Sequence, residues 1–127
     1  MTIVQPALAP PRIRSHAEPD GSLILTSEME LAPYEASLGV LLRHWAREAP
    51  DRVFLAERGP DDEWIELTWG DAGRRANGVA QALLDRGLGP DRPVMLLSGN
   101  AIDHGLLTLG ALVAGVPVVP VSPAYSL

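Results

Sequence analysis

The sequence predicts an α/β fold. Three observations carry that prediction. Residues 93–121 read as strand, helix and strand, an alanine-rich amphipathic helix precedes them, and two short strands joined by a turn precede that helix. Strand, helix and strand within about 30 residues make a βαβ unit, whose right-handed crossover lays the two strands parallel.

Composition allows one domain with a core. The chain has 127 residues, with 46% hydrophobic and 20% charged, which is the globular range. The formal net charge is −6, and all ten basic residues are arginines. An acidic chain without a basic run is a poor binder of nucleic acid, since phosphates are neutralised by clustered cations. The absence of cysteine removes disulfides, thiol nucleophiles and thiolate-bound zinc, and fits a cytoplasmic protein. The absence of lysine removes a Walker loop and Schiff-base chemistry. No apolar run reaches the roughly 18–20 residues of a membrane helix. The prolines of "MTIVQPALAPPRIR" interrupt any signal-peptide core, so no export signal is expected.

Residues 1–19 read as an irregular N-terminal arm and residues 20–127 as the folded part. Asp20-Gly21 is a turn signal and Leu23–Leu25 a short strand, with no tight hairpin expected around it. "EASLGVLLRHWAREAP" is an amphipathic helix with Leu38, Leu41, Leu42, Trp45 and Ala49 on one face. Ser37 can cap it, and Pro50 ends it. Val53–Glu57 and Trp64–Thr68 form a hairpin around "GPDD", whose residues favour turns.

The longest helix follows "LTW", with Thr68 and Asp71 at capping-box spacing. Ala72, Ala76, Val79, Ala80, Leu83 and Leu84 form its buried stripe, and Gly87 is its left-handed stop. Pro93–Ser98 is a continuously apolar strand of the kind covered on both faces. Asn100 can cap the next helix, through about Ala114, with Asp103 favouring its positive end. Gly115 ends that helix, and Val116–Val121 is the second parallel strand. The hairpin and the earlier helices are expected to add a mixed edge to this sheet.

Candidate chemistry is sparse. His16, His44 and His104 have no shared metal-ligand spacing. His104 adjoins Asp103, but neighbouring helix positions point about 100° apart, which favours a surface or packed role. Asp61-Asp62-Glu63 reads as a solvated hairpin tip. "LLSGNA" enters a helix and resembles an anion-binding corner, yet it has one glycine, and a turn with an Asn cap explains it better. Ser98, Ser122 and Ser126 lack a nucleophile-elbow context. No catalytic, cofactor-binding or metal-binding residue is assigned.

The order of motifs carries more. "LTWGDA" (67–72), a long helix, "DRPVMLLSGN" and "LVAGVPVVPVSP" (112–123) resemble the start of the AMP-forming adenylating enzymes. That family includes acyl- and aryl-CoA synthetases, luciferases and peptide-synthetase adenylation domains. Trp69 stands where the first family motif has tyrosine, Asp71 for glutamate, and Val113 for a common lysine of the second. "DGSLIL", "HWAREAPDRVFLAER", "LLSGNAIDHGLLTLGAL" and "GVPVVPVSPAYSL" resemble the feruloyl-CoA synthetase branch. The resemblance covers residues 18–127. It implies ATP, magnesium and coenzyme A as cofactors of the complete enzyme, and an aromatic carboxylate as its substrate.

It also implies a phosphate loop ending in Lys-Gly and a catalytic lysine in a further domain, neither present in residues 1–127. The chain is therefore expected to be a truncated N-terminal portion, inactive alone and binding none of these cofactors. Thr68, Asp71, Asn100, Gly115, Pro117 and Pro120 carry over as structural motif positions only. Two other readings stay open: a fragment of a fatty-acyl or other adenylating enzyme, and a non-catalytic α/β binding or oligomerisation module. With few elements left to cover the apolar strands, self-association is expected.

Overall fold

A computed structural model describes residues 12–124. The chain divides into two compact units, Met1–Tyr34 and Glu35–Leu127.

The first unit contains a hairpin. Strand β1 (Ile13–Ala17) pairs antiparallel with β2 (Leu23–Ser27), Ile13 opposite Ser27 and Ala17 opposite Leu23. This differs from the irregular arm read over residues 1–19 and places a unit boundary at Tyr34/Glu35; residues 1–11 of that arm lie outside the described residues. The turn explains the hairpin. Gly21 adopts φ +85°, a conformation that suits glycine. The Ser22 amide donates to the Asp20 carboxylate at 2.8 Å, and the Ser22 side chain, followed by this amide, holds the Asp20 pKa below its ordinary value. Alternation is also present: Ile13, Ala17, Leu23 and Leu25 share one face, while Arg14 pairs with Glu28 on the other at 3.1 Å. Both strands are exposed along their whole length.

The second unit holds helix α1 (Leu38–Glu48), strands β3 (Val53–Arg58) and β4 (Trp64–Thr68), helix α2 (Trp69–Asp85), strand β5 (Val94–Leu97), helix α3 (Ile102–Ala114) and strand β6 (Val118–Val121). β3 and β4 are antiparallel, and β5 and β6 parallel, with Val94 opposite Val118 and Leu97 opposite Val121. The α/β class and the βαβ unit are thus present. The mixed edge is not: among the described residues each pair is a separate two-stranded sheet.

Local chemistry sets the helix ends. The Ser37 hydroxyl accepts the Val40 amide at 3.4 Å. Thr68 accepts the Asp71 amide at 3.2 Å, one half of a capping box; the Asp71 carboxylate turns to Arg74 instead of closing the other half. Gly87 has φ +68°, and the Leu88 amide reaches back to the Leu83 carbonyl at 3.2 Å, which stops α2. Gly115, in the left-handed region at φ 71° and ψ 25°, stops α3.

Leu42, Leu67, Ala72, Ala76, Ile102 and Leu106 make the core, with Phe54, Leu55 and Trp69 packed against it. Phe54 stacks on Trp69 with ring centroids 3.8 Å apart. α2 and α3 share the largest interface between elements. Its closest approach is at Gly110, where an added Cβ would overlap Val79 and lie 3.0 Å from the Ala76 carbonyl oxygen. Small residues are required where two helix backbones come this near. The stripe read on α1 is only partly buried: Leu42 is inside, whereas Leu38, Leu41 and Trp45 are exposed. On α2, Ala72, Ala76 and Ala80 are buried and Leu84 is exposed.

Candidate functional site

In α/β folds ligands gather outside the carboxyl ends of parallel strands. At that end of β5 and β6 there is a cleft of about 530 Å3 lined by Ser98, Gly99, Asn100, His104, Pro120 and Ser122, among others. The β5–α3 turn carries the first three, the first turn of α3 carries His104, and β6 leads into Ser122. The Ser98 hydroxyl lies 2.6 Å from His104 Nδ1. With Nδ1 unprotonated the hydroxyl donates to the ring; with Nδ1 protonated the ring donates to the hydroxyl. Sequence spacing sets His104 beside Asp103, but the structure separates them: Asp103 pairs with Arg75 of α2 at 3.1 Å.

The cleft could hydrogen-bond a polar ligand through hydroxyl, amide and imidazole groups. Among the described residues that line it there is no lysine or arginine. One amide of the helix end beside it is also already taken. α3 starts at Ala101, which has no side-chain cap, and the Ile102 amide donates to the Glu57 carboxylate at 2.6 Å. Asn100, read as the cap, therefore does not act as one; the acceptor comes from β3 instead. With Glu57 on the α3 N-terminus and Asp103 in its first turn, negative charge occupies the position that would attract a phosphate. Carboxylates at this helix end do not suit the triphosphate of ATP. Among the described residues no group of His, Asp and Glu could hold a metal ion.

The other motif positions are structural in their surroundings. The Pro117 carbonyl accepts the Val94 amide at 2.8 Å, opening the parallel pair. Pro120 sits opposite Leu96 in β6, on a strand that pairs with β5 alone and has an edge where a missing N–H leaves no ladder bond broken. Asp61, Asp62 and Glu63 are exposed at the β3–β4 tip, where Asp62 meets Arg58 at 3.2 Å. Ser126 and the end of "VSPAYSL" lie outside the described residues. Glu57 was not legible as a functional position, because its partner is 45 residues away. The Ser98–His104 pair, six apart across a strand–helix turn, could have been found from the turn itself.

The parallel unit, the small-residue α2–α3 contact and the Gly115 stop define the class as an α/β scaffold built on a βαβ unit. Residues 42–127 match the family described as "AMP-binding enzyme", and the chain belongs to that family. It is 29% identical over 94 residues to the probable non-canonical nonribosomal peptide synthetase CymA of Salinispora arenicola, covering 74% of this chain and 1% of that protein. Tyrocidine synthase 3 of Brevibacillus parabrevis is 39% identical over 93 residues, covering 73% and 1%. A solved fatty acid AMP ligase from Legionella pneumophila superposes with a TM-score of 0.66 at 25% identity, covering 71% of this chain and 16% of that one. The chain thus spans a small part of the length of the relatives it matches. No helix among the described residues is long and apolar enough to cross a membrane.

Proposed function

We propose that this chain forms part of the scaffold of an enzyme that activates a carboxylic acid with ATP. In that reaction a carboxylate attacks the α-phosphate and yields an acyl-adenylate and pyrophosphate. Two anions must meet, so the phosphates need cationic partners. Such partners are absent from the cleft at the β5–β6 end, and the proposal puts them on sequence beyond these residues. ATP and magnesium are accordingly cofactors of the complete enzyme, and this chain positions the elements around them.

One observation carries the reading. The family match over residues 42–127 includes the whole βαβ unit, one of whose sheet faces is bare. Met95 and Leu97 are 69% and 66% exposed, against 7% for Leu96 between them. An apolar strand face of this kind is normally covered. Cover from the rest of an adenylating enzyme suits it, and so does self-association of the chain alone.

The product is a finer matter. A hydroxycinnamate such as ferulate, joined to coenzyme A, is the narrower possibility, supported by "DGSLIL" and "GVPVVPVSPAYSL". The relatives are peptide synthetases and a fatty acid AMP ligase, which supports the wider reading of a carboxylate-activating enzyme of another or broader specificity. Cytoplasmic location belongs to the same proposal.

The test begins with the reading frame through Leu127. A Ser/Thr/Gly-rich stretch ending in Lys-Gly is expected beyond it. The protein from the longest frame is then assayed for carboxylate-dependent ATP–pyrophosphate exchange with hydroxycinnamates, fatty acids and amino acids. Exchange with any of them supports adenylation, and the acid that responds identifies the branch. A folded protein from that frame that exchanges with none contradicts the proposal.

A further inference from the structure

The Glu57–Ile102 hydrogen bond does not stand alone. Leu55 and Glu57 are two apart on β3 and so share a face. Leu55 packs against the first turn of α3, where a Cβ added at Gly105 would lie 3.0 Å from Leu55 Cδ1. Glu57, one step along the same face, accepts the Ile102 amide at 2.6 Å and is partly buried. One strand face thus grips one helix end through an apolar contact and a carboxylate cap.

The helix has no local substitute. Ala101, at the N-cap, has an extended backbone but no side chain able to accept a hydrogen bond. The first backbone bond within the turn, from the Gly105 amide to the Ala101 carbonyl, is 3.2 Å long. The amides ahead of Gly105 have no partner within the helix.

We infer that Glu57 is a conformational latch: a cap delivered across the fold that holds the start of α3, and with it the Ser98–His104 pair, to the β3–β4 hairpin. The hairpin and the βαβ unit belong to separate sheets. The latch therefore transmits any displacement of β3 to the cleft at the end of β5 and β6. Without it, the first turn of α3 frays, and His104 leaves Ser98.

Three variants of the full chain test this: Glu57→Ala, Glu57→Gln, and Glu57→Ala with Ala101→Ser. Amide exchange at residues 102–105 and the imidazole nitrogen shifts of His104 are followed by NMR. Glu57→Ala is expected to speed exchange at Ile102 by about fivefold, the usual effect of losing a cap, and to move the His104 shifts. Glu57→Gln, which keeps an acceptor oxygen, is expected to fall between it and the native chain. Ala101→Ser supplies a local cap whose hydroxyl accepts the Asp103 or His104 amide; it is expected to slow exchange at residues 103–104 again and to return the His104 shifts, leaving Ile102 fast. Exchange within about twofold of native in Glu57→Ala, at a site where about fivefold is the norm, overturns the latch. So does faster exchange at residues 103–104 that Ala101→Ser leaves unrestored, since packing and not capping would then be the cause. If Glu57→Ala does not fold, the Glu57→Gln variant decides: faster Ile102 exchange with His104 shifts moved away from native supports the latch, and native exchange or native His104 shifts overturn it.

Discussion

The two faces of the β5–β6 pair are built from the same kinds of residue and meet different fates. On one face Leu96 is buried, alongside Val116, which leads into β6, and Ala111 of α3. On the other, Met95, Leu97 and Val119 are open to solvent. Valine, leucine and methionine therefore do not by themselves determine burial. A strand that is apolar on both faces reports what can cover it, and only the α3 side has its cover in these residues. The α2–α3 interface shows the finished condition, close enough that Gly110 has no space for a methyl group.

That contrast can be broken in order of effect. Leu106→Ala, in the core, is expected to cost about 3 kcal/mol by urea denaturation; a loss below about 1 kcal/mol would mean that the core is loosely packed at that position. Gly110→Ala opposes two effects. Alanine favours a helix interior by about 1 kcal/mol, while the overlap with Val79 costs about 1–3 kcal/mol. A net loss of about 1 kcal/mol is expected, and a gain in melting temperature would show that the two helices stand further apart.

Thr108→Val should act in the opposite direction. The Thr108 hydroxyl is buried with no hydrogen-bond partner, so its removal is expected to stabilise by about 1 kcal/mol, seen as a higher urea midpoint. On the bare face, Met95→Ser with Leu97→Ser is expected to shift stability by no more than about 0.5 kcal/mol. The same pair should lower apolar-dye binding and raise the monomer fraction in light scattering. Lost stability of several times that size, with unchanged dye binding, would place those side chains in a covered interface.

Much of this architecture was legible in the sequence because it is local. The 3.6-residue period marked the first two helices, and Gly115 and Gly87 marked the ends of the third and the second. What escaped is what depends on distant partners. Asn100 had the right chemistry and position for a cap, yet Glu57 approaches from another sheet and takes the role. Leu38, Leu41 and Trp45 fit the period of α1, but the surface available to them covers only the Leu42 side. β1 was hidden because Ser15 interrupts its apolar face, which leaves Ile13 and Ala17 as the only apolar members of the alternation. The site was read less well than the helices, since the strand–helix turn that joins Ser98 to His104 was taken only for a cap.

The proposal is that residues 1–127 supply scaffold, with the adenylation chemistry on other sequence of the complete enzyme. ATP–pyrophosphate exchange by the purified 127-residue chain, across hydroxycinnamates, fatty acids and amino acids, tests it most directly. The account predicts no exchange above the no-carboxylate background with any acid. Carboxylate-dependent exchange that persists through purification, and is lost on His104→Ala, would contradict it by placing the chemistry in the cleft at the end of β5 and β6.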